Sequence, residues 1–179
     1  MKKGSISKGL MMALAMMLVS SLVWAQEDKA SRPSPPKTAT GKVGGATITI
    51  NYSSPAVKGR KIFGDLVPFD KVWRAGANEA TLFETDKDIK VEGKALPAGK
   101  YSLYVIPGAN EWTFIFNSET GQWGIKRSGE TSKDASKDVL SVKVKPGKSA
   151  SLNERLMYEV TSSGFSLGWE NTQASVSIK

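Results

Sequence analysis

The stretch Tyr101-Ser-Leu-Tyr-Val-Ile-Pro-Gly-Ala-Asn-Glu-Trp-Thr-Phe-Ile-Phe-Asn117 decides the fold class. Tyr101 to Ile106 is rich in β-branched and aromatic residues. Pro107-Gly-Ala-Asn110 then supplies turn chemistry, and Trp112 to Asn117 alternates Trp112, Phe114 and Phe116 against Thr113, Ile115 and Asn117. Two such runs joined by a Pro-Gly-Asn connection predict an antiparallel hairpin with one buried face.

The same period of two recurs on both sides of this hairpin. Upstream, Ile48, Ile50 and Tyr52 alternate with Thr47, Thr49 and Asn51, and Ala80 to Asp86 and Asp88 to Glu92 read as further strands before the turn Leu96-Pro-Ala-Gly99. Downstream, Leu140, Val142 and Val144 form one apolar set, followed by Leu156, Tyr158 and Val160, then Phe165, Leu167 and Trp169, then Ala174, Val176 and Ile178. Outside the N-terminal segment, no window carries apolar residues at helical spacing for three turns. About eight or more short strands punctuated by turns predict an all-β domain, an antiparallel β-sandwich or jelly-roll-like barrel. Ser128 to Lys137 is polar and reads as a mobile loop.

Residues 1–25 combine a basic start (Lys2, Lys3, Lys8), an apolar run from Leu10 to Val19, and Val23-Trp-Ala25. That layout predicts a secretory signal cleaved between Ala25 and Gln26. The apolar run falls short of the ~20 residues that a membrane helix needs, so no stable membrane insertion is expected after cleavage, and the protein is expected outside the cytoplasm, in the periplasm or secreted. Residues 26–41, with Arg32-Pro-Ser-Pro-Pro-Lys37, read as a flexible Pro-rich tether. Residues 42–179 are then the single all-β domain. Loss of the three N-terminal lysines takes the formal charge from +8 to +5, spread among interleaved acids. A nucleic-acid partner would call for a clustered basic stripe, and none is expected.

The chain contains neither histidine nor cysteine. Imidazole acid–base work, Ser-His-Asp and Cys-His nucleophiles, disulfides and ordinary zinc sites are therefore unavailable. Gly164-Phe-Ser-Leu-Gly168 matches the hydrolase elbow G-x-S-x-G, but no base exists to activate Ser166 and Phe165, Leu167 and Trp169 alternate as a strand. Ser34-Pro-Pro-Lys37 matches S-x-x-K in a segment that cannot be helical. No metal and no cofactor is expected.

One run resists dismissal: Ser54 to Thr81, in which Phe63, Phe69 and Trp73 demand burial while glycines and prolines break every period. It reads as a long ordered loop packed on the core, the kind of element that carries function. Within it, Trp73, Arg74, Asn78 and Glu79, with Lys58 and Arg60 at the entrance, are the candidate binding residues. Arg74 and Glu79 form either a loop staple or, beside Trp73, a polar pocket with an aromatic wall for a small molecule, a glycan or a protein ligand.

Tyr52-Ser-Ser-Pro-Ala-Val-Lys-Gly-Arg-Lys-Ile-Phe-Gly64, Val72-Trp-Arg-Ala-Gly-Ala-Asn-Glu-Ala-Thr81, Leu96-Pro-Ala-Gly-Lys-Tyr-Ser-Leu-Tyr104 and Gln122-Trp-Gly124 together resemble the motifs of the bacterial exported family known as domain of unknown function 2911. The resemblance covers about Lys42 to Lys179. It implies a single extracytoplasmic domain, found largely in Bacteroidetes-type bacteria, and no particular reaction. The leading expectation is a binding or interaction module rather than an enzyme. The alternatives are a carboxylate-dependent hydrolase such as a glycosidase, with Glu79 as its first candidate carboxylate, and a purely structural envelope component.

Overall fold

The computed structural model describes residues 29–179, which fall into two units divided between Arg32 and Pro33. The signal segment and its Ala25/Gln26 cleavage site lie outside the described residues. Of the first unit, only a 3-10 turn at Lys29–Ser31 and Arg32 are described. All the described strands belong to the second unit.

The second unit is all β. Its main sheet has the order β1-β2-β3-β6-β7-β8, formed by Pro36–Val43, Ala46–Ser53, Thr81–Thr85, Gly99–Pro107, Trp112–Asn117 and Asp138–Val144. Every pairing in it is antiparallel. A ribbon of β4 (Ile89–Val91) with β5 (Lys94–Leu96) and a long hairpin of β9 (Gly147–Thr161) with β10 (Gly164–Ser177) complete the strands. The hairpin packs on the main sheet through Phe165, whose ring lies 5.6 Å from Phe83 and 5.8 Å from Phe114. One apolar core results, running from Ile48 and Ile50 through Phe83, Leu103, Phe114 and Phe116 to Leu167 and Trp169.

The hairpin read from Tyr101 to Asn117 is β6–β7, in register from Ser102↔Asn117 to Pro107↔Trp112. Ile48, Ile50 and Tyr52 are buried as their alternation requires. β6 departs from that rule, because Tyr101 through Val105 are all buried. Its second face is covered by the 118–137 connection, whose Gln122 donates from Nε2 to the Tyr104 hydroxyl at 2.9 Å.

Two sequence expectations need correction. The segment read as a tether to residue 41 enters the sheet, since Pro36 to Val43 pair with Ser53 to Ala46 as β1. Pro36 opens a strand at the end of the sheet order, where a missing N–H costs no ladder bond, and β1 is exposed along most of its length, so it carried no apolar signature. The polar stretch 128–137, read as a mobile loop, is heavily hydrogen-bonded: Lys133 Nζ meets Asp138 Oδ2 at 2.5 Å, while Asn117, fully buried, donates to Asp138 Oδ1 at 2.7 Å and to Asp134 O at 2.8 Å.

Candidate functional site

The 54–80 connection is held by backbone on two sides. On one side it runs along β9: Val57 N–H donates to Glu154 O at 2.7 Å, Leu156 N–H to Pro55 O at 2.9 Å, and Ser54 Oγ to Leu156 O at 2.7 Å. On the other it joins β6, where Trp73 and Val105 exchange both N–H···O bonds at 2.8 Å. β3 begins only at Thr81, opposite Leu103. Trp73 thus takes a place beside β6 that β3 leaves open.

Along this segment the backbone is bent hard. Lys58, Asp70, Ala75 and Asn78 all adopt positive φ, at 49°, 60°, 56° and 58°. For an alanine such a conformation costs about 1 kcal/mol, so the surroundings must hold it. At Ala75 they do: its carbonyl accepts from the hydroxyls of Tyr158 at 2.9 Å and Thr81 at 3.0 Å, all three residues being buried. Burial pushes the Tyr158 hydroxyl well above the ordinary tyrosine value, so it remains a neutral donor.

Trp73 is half-buried. Its ring stacks on Trp169 at 5.9 Å with 19° between planes and stands edge-on to Phe63 at 6.1 Å, while its Nε1 donates to Gly76 O at 3.1 Å. Trp169, 2 % exposed, keeps its own Nε1–H buried without a hydrogen-bond partner. Next to Trp73, Arg74 crosses to the 118–137 connection. Its NH1 donates to Trp123 O at 3.2 Å and its guanidinium carbon lies 5.5 Å from the Trp123 ring centroid, a cation–π arrangement. Burial lowers the Arg74 pKa, and the charge of Glu79 works in the opposite direction. Gly124, at φ 86°, makes this approach possible, because a Cβ there would lie 2.9 Å from Arg74 Cβ.

The two connections enclose an open cleft of about 1010 Å³. Trp73 and Trp169 line it together with Leu66 and Ile125, and its charged lining is Arg60, Lys71, Arg74, Asp70 and Glu130. Arg60 is braced by its own loop, with Nε donating to Val57 O at 3.0 Å and NH2 to Ala56 O at 2.6 Å.

Of the six candidate residues, the structure therefore brings Trp73, Arg74 and Arg60 onto one cleft. Asn78 is not in its wall; it donates from Nδ2 to Ser34 O at 3.0 Å and so fastens the chain that leads into β1. Glu79 is not in the wall either, and its charge favours the protonated form of Arg74. Lys58 is exposed and is not in the wall; its backbone N–H donates to Glu154 Oε1 on β9 at 3.0 Å. Reading the sequence missed Trp123 and Trp169, which lie far along the chain from Trp73. Gln122-Trp-Gly124 was visible as a motif, but nothing in its spacing shows that it docks on Arg74. Among the described residues there is no cluster of three or more acidic side chains able to hold a metal ion, and no helix is long and apolar enough to cross a membrane.

The chain belongs to the DUF2911 family, described as a protein of unknown function, whose match extends over residues 34–178. That span starts before β1, in keeping with a domain that includes the first strand. No curated protein and no solved structure matches the chain.

Proposed function

We propose that this DUF2911 protein is an exported binding module whose contact surface is the cleft between the 54–80 and 118–137 connections. The observation that carries the reading is the half-buried Trp73, stacked on Trp169 and flanked by Arg60 and Arg74 in an open cleft of about 1010 Å³. That volume lies at the upper end of the roughly 300–1,000 Å³ typical of small-molecule sites. Apolar floor, convergent polar groups and strained supporting backbone are the usual ingredients of a ligand site. Export is supported by Lys2, Lys3 and Lys8, the Leu10–Val19 run and Val23-Trp-Ala25. A mature N-terminus at Gln26, read by mass spectrometry of the exported protein, tests it.

A hydrolytic reading would have to use Asp70 and Glu130, the carboxylates that line the cleft, rather than Glu79. The binding reading is tested by a thermal-shift screen of the protein against oligosaccharides, peptides and divalent cations. A ligand that binds the folded state raises the midpoint with the logarithm of its concentration over Kd. The expected result is a rise with at least one class of probe that is reduced in Arg74→Ala, and a rise that persists undiminished in both Arg74→Ala and Lys71→Ala would move the contact surface elsewhere.

A further inference from the structure

We infer that the cleft takes an uncharged carbohydrate, a short run of pyranose rings; the inference rests on the binding reading above and names its ligand class. Three observations converge on it. The first is the state of the two indoles. Trp73 spends its Nε1–H on Gly76 O, and the Nε1–H of Trp169 is buried. Neither indole presents an N–H to an incoming chain, and because Trp169 is buried behind Trp73, the half-buried Trp73 ring is the aromatic carbon surface a ligand meets. A docked peptide brings backbone carbonyls that need donors, and these two rings have none to give. A pyranose needs none, because its C–H face packs on ring carbon.

The second observation is the sign of the charges around that surface. Arg60, Lys71 and Arg74 stand with Asp70 and Glu130. An anion would meet two carboxylates and a cation three basic groups. A sugar hydroxyl is donor and acceptor at once, and carries no charge that either sign repels. Charged side chains of both signs are its strongest hydrogen-bond partners. Ser128 and Thr131 add hydroxyls to the same wall.

The third is how the polar groups are held. Arg60 is anchored by two carbonyls of its own loop, and Arg74 by the Trp123 carbonyl and ring. Each guanidinium has five N–H donors, so donors remain for a ligand after these bonds are made, and their positions are set before it arrives. Pre-organised donors reduce the ordering cost of binding a ligand rich in hydroxyls.

The test is titration calorimetry, with tryptophan fluorescence alongside, of the full chain with cellohexaose, xylohexaose, mannohexaose and chitohexaose. Hexagalacturonate forms the anionic arm and a proline-rich decapeptide the peptide arm. At least one neutral hexaose is expected to bind and to change the fluorescence. Trp73→Ala should weaken that binding by roughly tenfold or more, the usual effect of removing a central aromatic anchor. Because Trp73 also packs against Phe63, the decisive variants are Asp70→Asn and Lys71→Ala on the exposed rim, each expected to weaken binding by about threefold with unchanged melting.

Failure of every neutral hexaose to bind overturns the inference, as does binding that survives all three substitutions unchanged. Binding of hexagalacturonate or the decapeptide alone, lost in the rim variants, overturns the inference and leaves the binding reading standing. Release of shorter oligosaccharides upholds the ligand class and replaces the binding reading with the hydrolytic one.

Discussion

The two long connections that frame the cleft are built on opposite principles. The 54–80 segment buries Ile62, Phe63, Val67 and Ala75, though Leu66 and Phe69, the latter expected inside, stay exposed, and it ties its backbone to β9 and β6. The 118–137 segment buries few side chains of its own and is held by polar groups: Gln122 on Tyr104, Asn117 and Lys133 on Asp138, Asp134 on Ser136. One connection is an extension of the core and the other is a polar cover for β6 and β7. They meet at Arg74, whose guanidinium reaches from the first to the Trp123 of the second. The aromatic floor and the rim residues Asp70 and Lys71 thus stand on the packed segment and β10, while Ile125, Glu130 and Thr131 stand on the hydrogen-bonded one.

The largest expected effect tests the core-like half. Phe63 is 7 % exposed and its ring touches Trp112 at 4.6 Å, Trp73 at 6.1 Å and Trp169 at 6.3 Å. Phe63→Ala should cost about 3–5 kcal/mol, as large truncations in cores do, measured by urea denaturation. A loss below about 1 kcal/mol, within the range of surface substitutions, would mean that the segment is no part of the core and would remove the contrast with its neighbour.

The next effect tests the polar half. Lys133 has only 6 % of its side chain exposed and Asp138 24 %. Asp138→Ala leaves Lys133 without its carboxylate and Asn117 without one of its two acceptors. Losing one member of a fully buried pair costs about 3–5 kcal/mol; the partial exposure of Asp138 brings the expectation to about 2 kcal/mol. Adding Lys133→Met to that background should recover part of the loss, since the stranded ammonium is then gone. No recovery in the double variant would show that the connection is held without this pair.

How far these features could be read from sequence follows from the same contrast. Alternation in β2 and β7 revealed the strands because one face of each is core. β6 gave a mixed signal because Gln122 and its neighbours cover the second face, and no local pattern announces a cover supplied by another segment. β10 read as two strands, since its apolar set shifts from Phe165, Leu167 and Trp169 to Ala174, Val176 and Ile178, from odd positions to even. The structure shows one strand that changes phase at register shifts around Glu170, which sits at φ 55°. At the site, Trp73 and Arg74 stood out because aromatic and charged residues lay together among glycines. Their partners were illegible, because a stacked indole at position 169 and a carbonyl at 123 depend on tertiary folding alone.

A smaller effect concerns the bond that holds the strained Ala75. Tyr158→Phe removes one of the two hydroxyls on the Ala75 carbonyl and should cost about 1 kcal/mol at neutral pH. It should also change the alkaline limb. The folded state holds Tyr158 neutral well above its ordinary value of 10.0, so its contribution is intact below the unfolded value and is lost as pH rises from about 10. Denaturation midpoints compared at pH 7 and pH 10.5 should fall less in Tyr158→Phe than in the parent. An equal fall in both proteins would transfer the alkaline sensitivity to Tyr52, Tyr101 and Tyr104, which burial also raises.

The smallest effect separates backbone anchoring from side-chain anchoring within the 54–80 segment. Lys58 is exposed, its φ is 49°, and its backbone N–H ties it to Glu154 Oε1 on β9. Lys58→Ala keeps that N–H and should change stability by no more than about 0.5 kcal/mol. Lys58→Gly also keeps it and removes the Cβ that disfavours positive φ. The relief of about 1 kcal/mol is partly offset by the about 0.5–1 kcal/mol that glycine loses in chain entropy. The glycine variant should therefore be equal to the parent or a few tenths of a kcal/mol more stable, and both midpoints should stay close together. A loss of more than about 1 kcal/mol in Lys58→Ala would mean that the side chain is the anchor, and this edge of the segment would then resemble its polar neighbour rather than the core.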